Sequence, residues 1–345
     1  MVSSEPIATP HHSPLTTHHS PPYSRVLIIA GSDSSGGAGI QGDIKTVSAL
    51  GGYAMTAITA LTAQNTQGVF GIHPIPEDFI AQQIALCLSD IGADAIKTGM
   101  LHSAAVIEVV GRALDSYFNS PPEGESTRSF NAAGGGNLSK ESPHGFARAN
   151  PAPPQGGSWE NVAQPAAQTI HDSRFTIHPS IPLVVDPVMV AKGGAPLLEA
   201  AALDALKTLL IPHASIITPN LPEAELLLGR TIASDDAECT DMQRAAEALL
   251  TLGCQAVLLK GGHGNGAQLT DVLVTRDGAP PVTLTTPRMD TRHTHGTGCA
   301  FASAIATGLA QQLSLEDSVR RAHAYVQGAI ARAPGFGQGN GPLGH

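Results

Sequence analysis

The sequence predicts an α/β domain built on a mainly parallel central sheet with helices on both faces. Only 14% of its 345 residues are charged and 42% are hydrophobic, which argues against a helical bundle or a coiled coil. Its 37 Gly and 26 Pro residues suit many turns between strands and helices. Short β-branched runs alternate with longer amphipathic stretches, the pattern of a parallel sheet covered by helices.

The individual elements follow from this alternation. The β-branched runs predict eight strands, over residues 26–30, 54–62, 95–98, 183–186, 215–218, 256–260, 271–275 and 282–286. Apolar positions at helical spacing predict eight helices, over residues 38–50, 77–91, 103–117, 198–211, 222–228, 240–252, 298–311 and 315–332. Ligands bind beyond the carboxyl ends of the strands in such sheets, so the segments after each strand are the candidates for a site.

Two segments fall outside this pattern. Residues 1–24 hold five Pro, five Ser and four His, and in residues 119–180 Leu, Ile, Val and Phe fill only 7 of 62 positions. Neither segment buries enough apolar surface to offset the entropy of ordering. We therefore predict a disordered N-terminal tail at 1–24 and a folded domain over 25–345. Within that domain, 119–180 is predicted to be a disordered, Gly/Pro/Ser/Asn-rich insertion, which is a neutral surface loop, a shield for the site or a segment that mediates an interaction.

Charge and cysteine content exclude several classes of protein. The formal net charge of −10 gives no general attraction to nucleic acid or to an anionic membrane. The four Cys residues show no C-x-x-C spacing, which favours a reducing compartment. No apolar run reaches the ~18 residues that span a bilayer. We predict a soluble, cytosolic protein whose anionic ligands are held by local groups.

The first predicted strand leads into a glycine-rich turn, residues 31–43. Glycine lets backbone N–H groups approach a ligand closely, so the turn is predicted to be a binding loop, unless its glycines serve only helix packing. Gly37, Gly39 and Gly42 match G-x-G-x-x-G, but no Asp or Glu lies between Asp43 and Glu77 to bind ribose hydroxyls. A Walker A motif is also absent from the sequence. A nicotinamide-dependent oxidoreductase remains only an alternative.

The segment 293–299 precedes an apolar helix and carries the most specific signal. Gly296, Thr297 and Gly298 open a helix N-terminus, whose N–H groups and dipole stabilise an anion that gains charge, as a phosphoryl group does in transfer. The same field predicts a lowered pKa for Cys299, whose thiolate can take a proton from an alcohol. The alternative is a small residue packed at a helix start.

Two later loops supply carboxylate, amide and ammonium groups. Asp186 follows one predicted strand, and Asn220 and Glu223 follow the next. Together they can orient hydrated Mg²⁺ against phosphates, although Glu223 taken alone favours a helix cap. Lys192 and Lys260 can neutralise phosphate charge.

These motifs resemble the hydroxymethylpyrimidine and phosphomethylpyrimidine kinases of thiamine synthesis, which belong to the ribokinase-like superfamily. The resembling segments are 28–31, 35–41, 59–66, 97–101, 186–189, 218–224, 259–263, 294–299 and 339–343. The resemblance covers essentially everything except the tail and the insertion. It implies a ribokinase-like fold and ATP-dependent phosphorylation of 4-amino-5-hydroxymethyl-2-methylpyrimidine to its monophosphate and then its diphosphate. It further implies ATP and Mg²⁺ as cofactors and, by analogy, a homodimer.

The resemblance also implies residue roles. Gln64 would bind the aminopyrimidine ring in a pocket shaped by Gly31, Asp43 and Met100, with His295 near the transferring group. Cys299 would be the general base. The other implied roles are an anion hole at Gly296, Thr297 and Gly298, nucleotide contacts at Lys192, Asn220, Lys260 and Gly262, and a metal site at Asp186 and Glu223.

Other functions remain open at this point. A ribokinase-like pyridoxal or pyridoxine kinase is the nearest alternative, because a related pocket can hold either heteroaromatic alcohol. Gln64 favours the aminopyrimidine, since a side-chain amide both donates and accepts hydrogen bonds. A non-enzymatic pyrimidine-binding protein is the remaining alternative, and the combination of Cys299, the glycines before it and Glu223 argues against it.

Overall fold

The computed structural model describes residues 23–119, 181–189, 197–198, 200–233, 239–262 and 267–345. Except at their edges, the predicted tail and insertion lie outside these ranges. The first strand begins at Ser24 and the third helix ends at Asn119. Within the described ranges, no helix combines the length and apolar character needed to cross a membrane.

A sheet of eight strands forms the centre of the domain. Its order is β10-β9-β8-β7-β6-β5-β1-β2, with β3 and β4 forming a separate two-stranded sheet. The strands are β1 Ser24–Ala30, β2 Gly52–Ile58, β3 Ala60–Asn65, β4 Gly68–Pro74, β5 Ala95–Thr98, β6 Leu183–Val185, β7 Ile216–Ile217, β8 Ala256–Lys260, β9 Gln268–Thr275 and β10 Val282–Pro287. The six strands from β8 to β2 pair in parallel, while β9 and β10 extend one edge by antiparallel pairing.

Helices cover both faces of this sheet, as predicted. They are α1 Gly39–Ala49, α2 Glu77–Asp90, α3 Ala104–Asn119, α4 Ala200–Ala205, α5 Leu221–Leu228, α6 Thr240–Leu250, α7 Thr297–Ala310 and α8 Leu315–Ala331. Alternate residues of β1 belong to different apolar clusters. Leu27 and Ile29 pack with α2 and α3, whereas Val26 and Ile28 pack with α1, α7 and α8. Burial on both faces explains why these strands are apolar at successive positions.

The β3–β4 hairpin differs from the prediction. The predicted strand 54–62 is two strands that break at Thr59, where the backbone N–H bonds to the carbonyl of Ala30 and the hydroxyl donates to the carbonyl of Met100. Strand β4 was not predicted, because its side chains are half-buried or exposed, Phe70 by 73%. Without a buried face, such a strand lacks the apolar pattern on which the prediction rests.

A buried ion pair connects three elements beneath the carboxyl edge of the sheet. Lys97 of β5 and Asp43 of α1 are both 0% exposed, and Lys97 Nζ lies 2.8 Å from Asp43 Oδ2. Ser303 of α7 donates a hydrogen bond to Asp43 Oδ1 at 2.7 Å. Burial opposes the charge of the lysine, but the Asp43 carboxylate keeps the pKa of Lys97 above its ordinary value. Burial raises the pKa of Asp43, and Lys97 and Ser303 act against that rise, so the charged forms of the two residues stabilise each other.

We expect Lys97→Met to lower the free energy of unfolding by about 3–5 kcal/mol, because it leaves the Asp43 charge buried without a partner. Urea denaturation measures the loss. The double variant Asp43→Asn/Lys97→Met, which removes both charges, should recover part of it. Lys45→Met at an exposed position is the control. A loss no larger than that of the control would contradict the role given to the pair.

Candidate active site

Gly296 begins the site at the N-terminus of α7. Its φ is +89°, and a Cβ at this position would overlap the carbonyl oxygen of Gly37, so the close approach requires glycine. No side chain caps α7. Thr297 and Gly298, which follow, line a cleft. The predicted helix N-terminus is present and borders this cleft. Its role as an anion hole stays a prediction.

Cys299 lies half-buried in the first turn of α7. Its predicted low pKa is wrong. Burial raises the pKa of the thiol to about 12, and the negative charges of Asp43 and Asp186 add to this effect. Lys97 and the amide of Gly39 favour the thiolate but do not outweigh burial. Burial is thus the dominant influence, and the thiol is neutral at physiological pH.

Asp186 stands at the carboxyl end of β6, and its two carboxylate oxygens have different surroundings. Oδ1 accepts hydrogen bonds from Thr218 Oγ1 at 3.1 Å and from Lys260 Nζ at 3.2 Å. Oδ2 is buried and has no hydrogen-bond partner among the described residues. A Cβ at Gly298 would lie 3.8 Å from this oxygen and 3.3 Å from Lys260 Nζ. The carboxylate and the ammonium therefore both border the start of α7.

Asn220 and Glu223 cap the N-terminus of α5. Capping was the alternative to a metal-binding role for Glu223. Asn220 Oδ1 accepts from the amide of Glu223 at 2.9 Å, and Glu223 Oε2 accepts from the amide of Asn220 at 2.8 Å. Burial raises the pKa of Glu223 to about 7. Lys260 opposes this rise and Asp186 adds to it. The capping role is confirmed, and the unusual pKa marks a carboxyl that titrates near neutral pH.

The donors at this edge fit Mg²⁺ bound together with phosphates. Among the described residues, no three His, Cys, Asp or Glu side chains are grouped closely enough to hold a metal ion by themselves. Mg²⁺ is usually bound by one or two carboxylates, with water and substrate phosphates completing its shell. The unpartnered oxygen of Asp186 and the buried carboxyl of Glu223 meet that requirement.

A cleft of about 350 Å³ opens beside these groups. The predicted nucleotide residues Asn220, Lys260 and Gly262 line it together with Thr297 and Gly298. Its further walls include Asp271, Arg288, Met289, Phe301, Val326 and Gln327. Sequence reasoning missed these residues, because they come from β9, the chain after β10, α7 and α8, which carry no motif there. Lys192 lies outside the described residues.

The predicted substrate pocket is brought together in part. A Cβ at Gly31 would overlap Met100 Cε, so Gly31 and Met100 are in contact. Gln64 lies on β3, in the hairpin that borders this region. Asp43 has no exposed surface and contacts Lys97 and Ser303. Direct contact of Asp43 with substrate stays a prediction.

Asp33, which no motif singles out, organises the glycine-rich turn. Its carboxylate accepts hydrogen bonds from the amides of Ser35, Gly37 and Ala38 and from the Ser35 hydroxyl, at 2.7 to 3.1 Å. Burial opposes its charge, but hydrogen bonds from His295 and Ser35 hold the pKa of Asp33 below its usual range. The prediction that this turn offers its amides to a ligand is therefore wrong for these three amides, which bind the chain's own carboxylate.

The fold, the uncapped start of α7 and the adjoining cleft define a small-molecule kinase of the ribokinase-like class. The phosphomethylpyrimidine kinase family model matches residues 33–122 and 163–344. The hydroxymethylpyrimidine/phosphomethylpyrimidine kinase of Bacillus subtilis is 39% identical over 322 residues, 93% of this chain and 94% of the relative. The chain belongs to the phosphomethylpyrimidine kinase family.

Two further comparisons extend this result. The thiamine biosynthesis bifunctional protein of Geobacter sulfurreducens is 40% identical over 324 residues. The match covers 94% of this chain and 52% of that relative. Among solved structures, the ADP complex of Bacillus subtilis pyridoxal kinase is similar with a TM-score of 0.69 and 29% identity, covering 94% of this chain and 97% of that one.

The raised pKa of Glu223 predicts a pH-dependent interaction with Mg²⁺-nucleotide. Below about pH 7 the carboxyl is protonated and cannot bind a cation, so its contribution to affinity should fall as pH falls through about 7. Calorimetric titration with the Mg²⁺ complex of a non-hydrolysable ATP analogue measures this in the wild type and in Glu223→Gln. The nucleotide's own titration cancels in the ratio of the two affinities. A ratio that does not change with pH would contradict the prediction.

Proposed function

We infer that this chain is a hydroxymethylpyrimidine and phosphomethylpyrimidine kinase, and we propose how its residues carry out the reaction. The observation that carries this conclusion is the family match over 33–122 and 163–344. Curated relatives of that name share 36 to 39% identity over more than nine-tenths of this chain. The chain transfers phosphoryl groups from ATP, first to hydroxymethylpyrimidine and then to its monophosphate, in thiamine biosynthesis.

The residues around α7 suit phosphoryl transfer. The reaction has a loose transition state, so positioning and charge neutralisation supply most of the catalysis. The amides at Gly296, Thr297 and Gly298 would bind the transferring group, and Lys260 would neutralise phosphate charge from the cleft. Asp186 and Glu223 would hold Mg²⁺, which neutralises charge on the phosphates when it is bound.

Cys299 is proposed to accept the proton of the substrate alcohol. The hydroxymethyl oxygen forms a bond to the γ-phosphorus, the bond from that phosphorus to the β–γ bridging oxygen breaks, and the alcohol proton passes to the thiolate. Because the pKa of Cys299 is raised to about 12, only a small thiolate fraction is present near neutral pH. The second reaction uses the monophosphate as nucleophile. That group is already anionic and needs no base.

We expect Cys299→Ala to lower the rate of the first phosphorylation by about 10²- to 10⁴-fold, the usual contribution of a general base, with a far smaller effect on the second. The wild-type rate of the first step should rise with pH as the thiolate fraction increases. Separate steady-state assays with the alcohol and with its monophosphate measure both effects. Equal losses for the two substrates would refute this role.

The direct test of function is incubation with hydroxymethylpyrimidine, ATP and Mg²⁺ followed by mass analysis. We expect the monophosphate first and the diphosphate later. The structural similarity to pyridoxal kinase supports a second candidate, phosphorylation of pyridoxal. Competition between the two alcohols separates the candidates, and a higher kcat/KM for pyridoxal would overturn the assignment.

Four expectations stay predictions. They are the homodimer, the cytosolic location, the tail at 1–24 and the insertion at 119–180. Light scattering during size-exclusion chromatography tests the first, and limited proteolysis tests the last two, because disordered segments are cleaved before folded ones.

A further inference from the structure

An aspartate, a histidine and a glutamine form a chain of polar contacts at the substrate end of the site. His295 Nε2 lies 2.7 Å from Asp33 Oδ2, and the terminal amide nitrogen of Gln64 lies 3.1 Å from the same His295 Nε2. Asp33 is 1% exposed and His295 is 9% exposed. The three residues come from the turn after β1, the segment before α7 and strand β3.

Asp33 is held in place by its own loop as well as by His295. Its two oxygens accept four hydrogen bonds from Ser35, Gly37 and Ala38. The carboxylate therefore cannot turn away from His295 without breaking bonds in its own loop. An ionised carboxylate is only an acceptor, so the proton of the histidine ring lies on Nε2.

This proton determines which end of the Gln64 amide faces the ring. In the structure the amide nitrogen of Gln64 faces His295. The N–H of the amide and the N–H of the ring are then both donors, and neither has an acceptor in the other. A half-turn of the amide places its oxygen there instead. The ring proton is then shared between Asp33 and Gln64 in a three-centre bond, a common arrangement. Thr62 Oγ1 lies 3.4 Å from the other end of the amide and donates its one proton to the carbonyl of Ser32 at 2.8 Å, so it can accept from the Gln64 amino group after the half-turn.

We propose that Asp33 is a positioning residue for substrate recognition: by holding the proton on His295 Nε2, it turns the amino group of Gln64 toward the substrate. This rests on the proposed function, in which Gln64 binds the pyrimidine. The amino group donates a hydrogen bond, so the site selects a heteroaromatic alcohol whose ring nitrogen is unprotonated. A protonated ring nitrogen would present a donor to a donor.

The test is Asp33→Asn in the full chain. Oδ2 of Asp33 accepts from Gly37 and Ala38 as well as from His295, so an amino group in its place faces His295, moves the ring proton to Nδ1 and gives up those two loop bonds, while the remaining oxygen still accepts from Ser35. In ¹⁵N NMR of the neutral imidazole, His295 Nε2 should change from protonated to unprotonated. The KM for hydroxymethylpyrimidine should rise about tenfold to hundredfold, the effect of a mismatched buried polar group, with little change in the KM for ATP. Asp90→Asn, at an exposed position, is the matched control.

The outcomes separate this proposal from the proposed function. An unprotonated Nε2 in the wild type overturns the proposal and needs no variant, so it holds even if Asp33→Asn fails to fold. A shifted proton with an unchanged KM for the pyrimidine also overturns it, while wild-type kinase activity would stand. If the wild type does not phosphorylate the pyrimidine, the proposed function fails independently of the NMR result.

Discussion

The buried pair of Lys97 and Asp43 is the interaction on which the geometry of the site depends. Asp43 lies one turn after Gly39 on α1, and Ser303 lies one turn after Cys299 on α7. The hydrogen bond from Ser303 to Asp43 holds these two helices together, and Lys97 anchors both to β5. The amide of Gly39 is thereby brought to the sulfur of Cys299. A buried charge is tolerated only when it is paired, so the three elements keep one relative position.

The same arrangement sets the electrostatics around the thiol. Asp43 and Asp186 carry negative charge close to Cys299, while Lys97 and Lys260 balance them. Each lysine is paired with one aspartate, so little positive charge is left for a thiolate. A site with this balance is prepared for added cations and phosphates rather than for a resting anion at the sulfur.

Much of the fold and part of the site could be predicted from local sequence patterns. The buried strands were found because a parallel sheet covered on both faces makes successive residues apolar, as at Val26 to Ala30. The start of α7 was predicted correctly because glycines directly before an apolar helical pattern indicate a helix N-terminus. Strand β4 was missed because no face of it is buried. The contact of Asp33 with His295 was missed because the two residues lie 262 positions apart in the chain.

The prediction of a low pKa for Cys299 was also wrong because it depends on groups that are distant in the sequence. The helix start is a local feature and was predicted, but the opposing carboxylates belong to α1 and to the end of β6, which approach only in the folded chain. Local sequence therefore predicts where reacting groups lie better than how strongly they hold their protons. Burial and charge at a point depend on every element that meets there.

The neutral state of Cys299 has a consequence for the durability of the enzyme. The thiolate, not the thiol, reacts with peroxides and alkylating agents. A sulfur that keeps its proton at rest is therefore a poor target for oxidants, although it is only half-buried. The burial and charge balance that keep Cys299 protonated leave little thiolate for such reagents between turnovers.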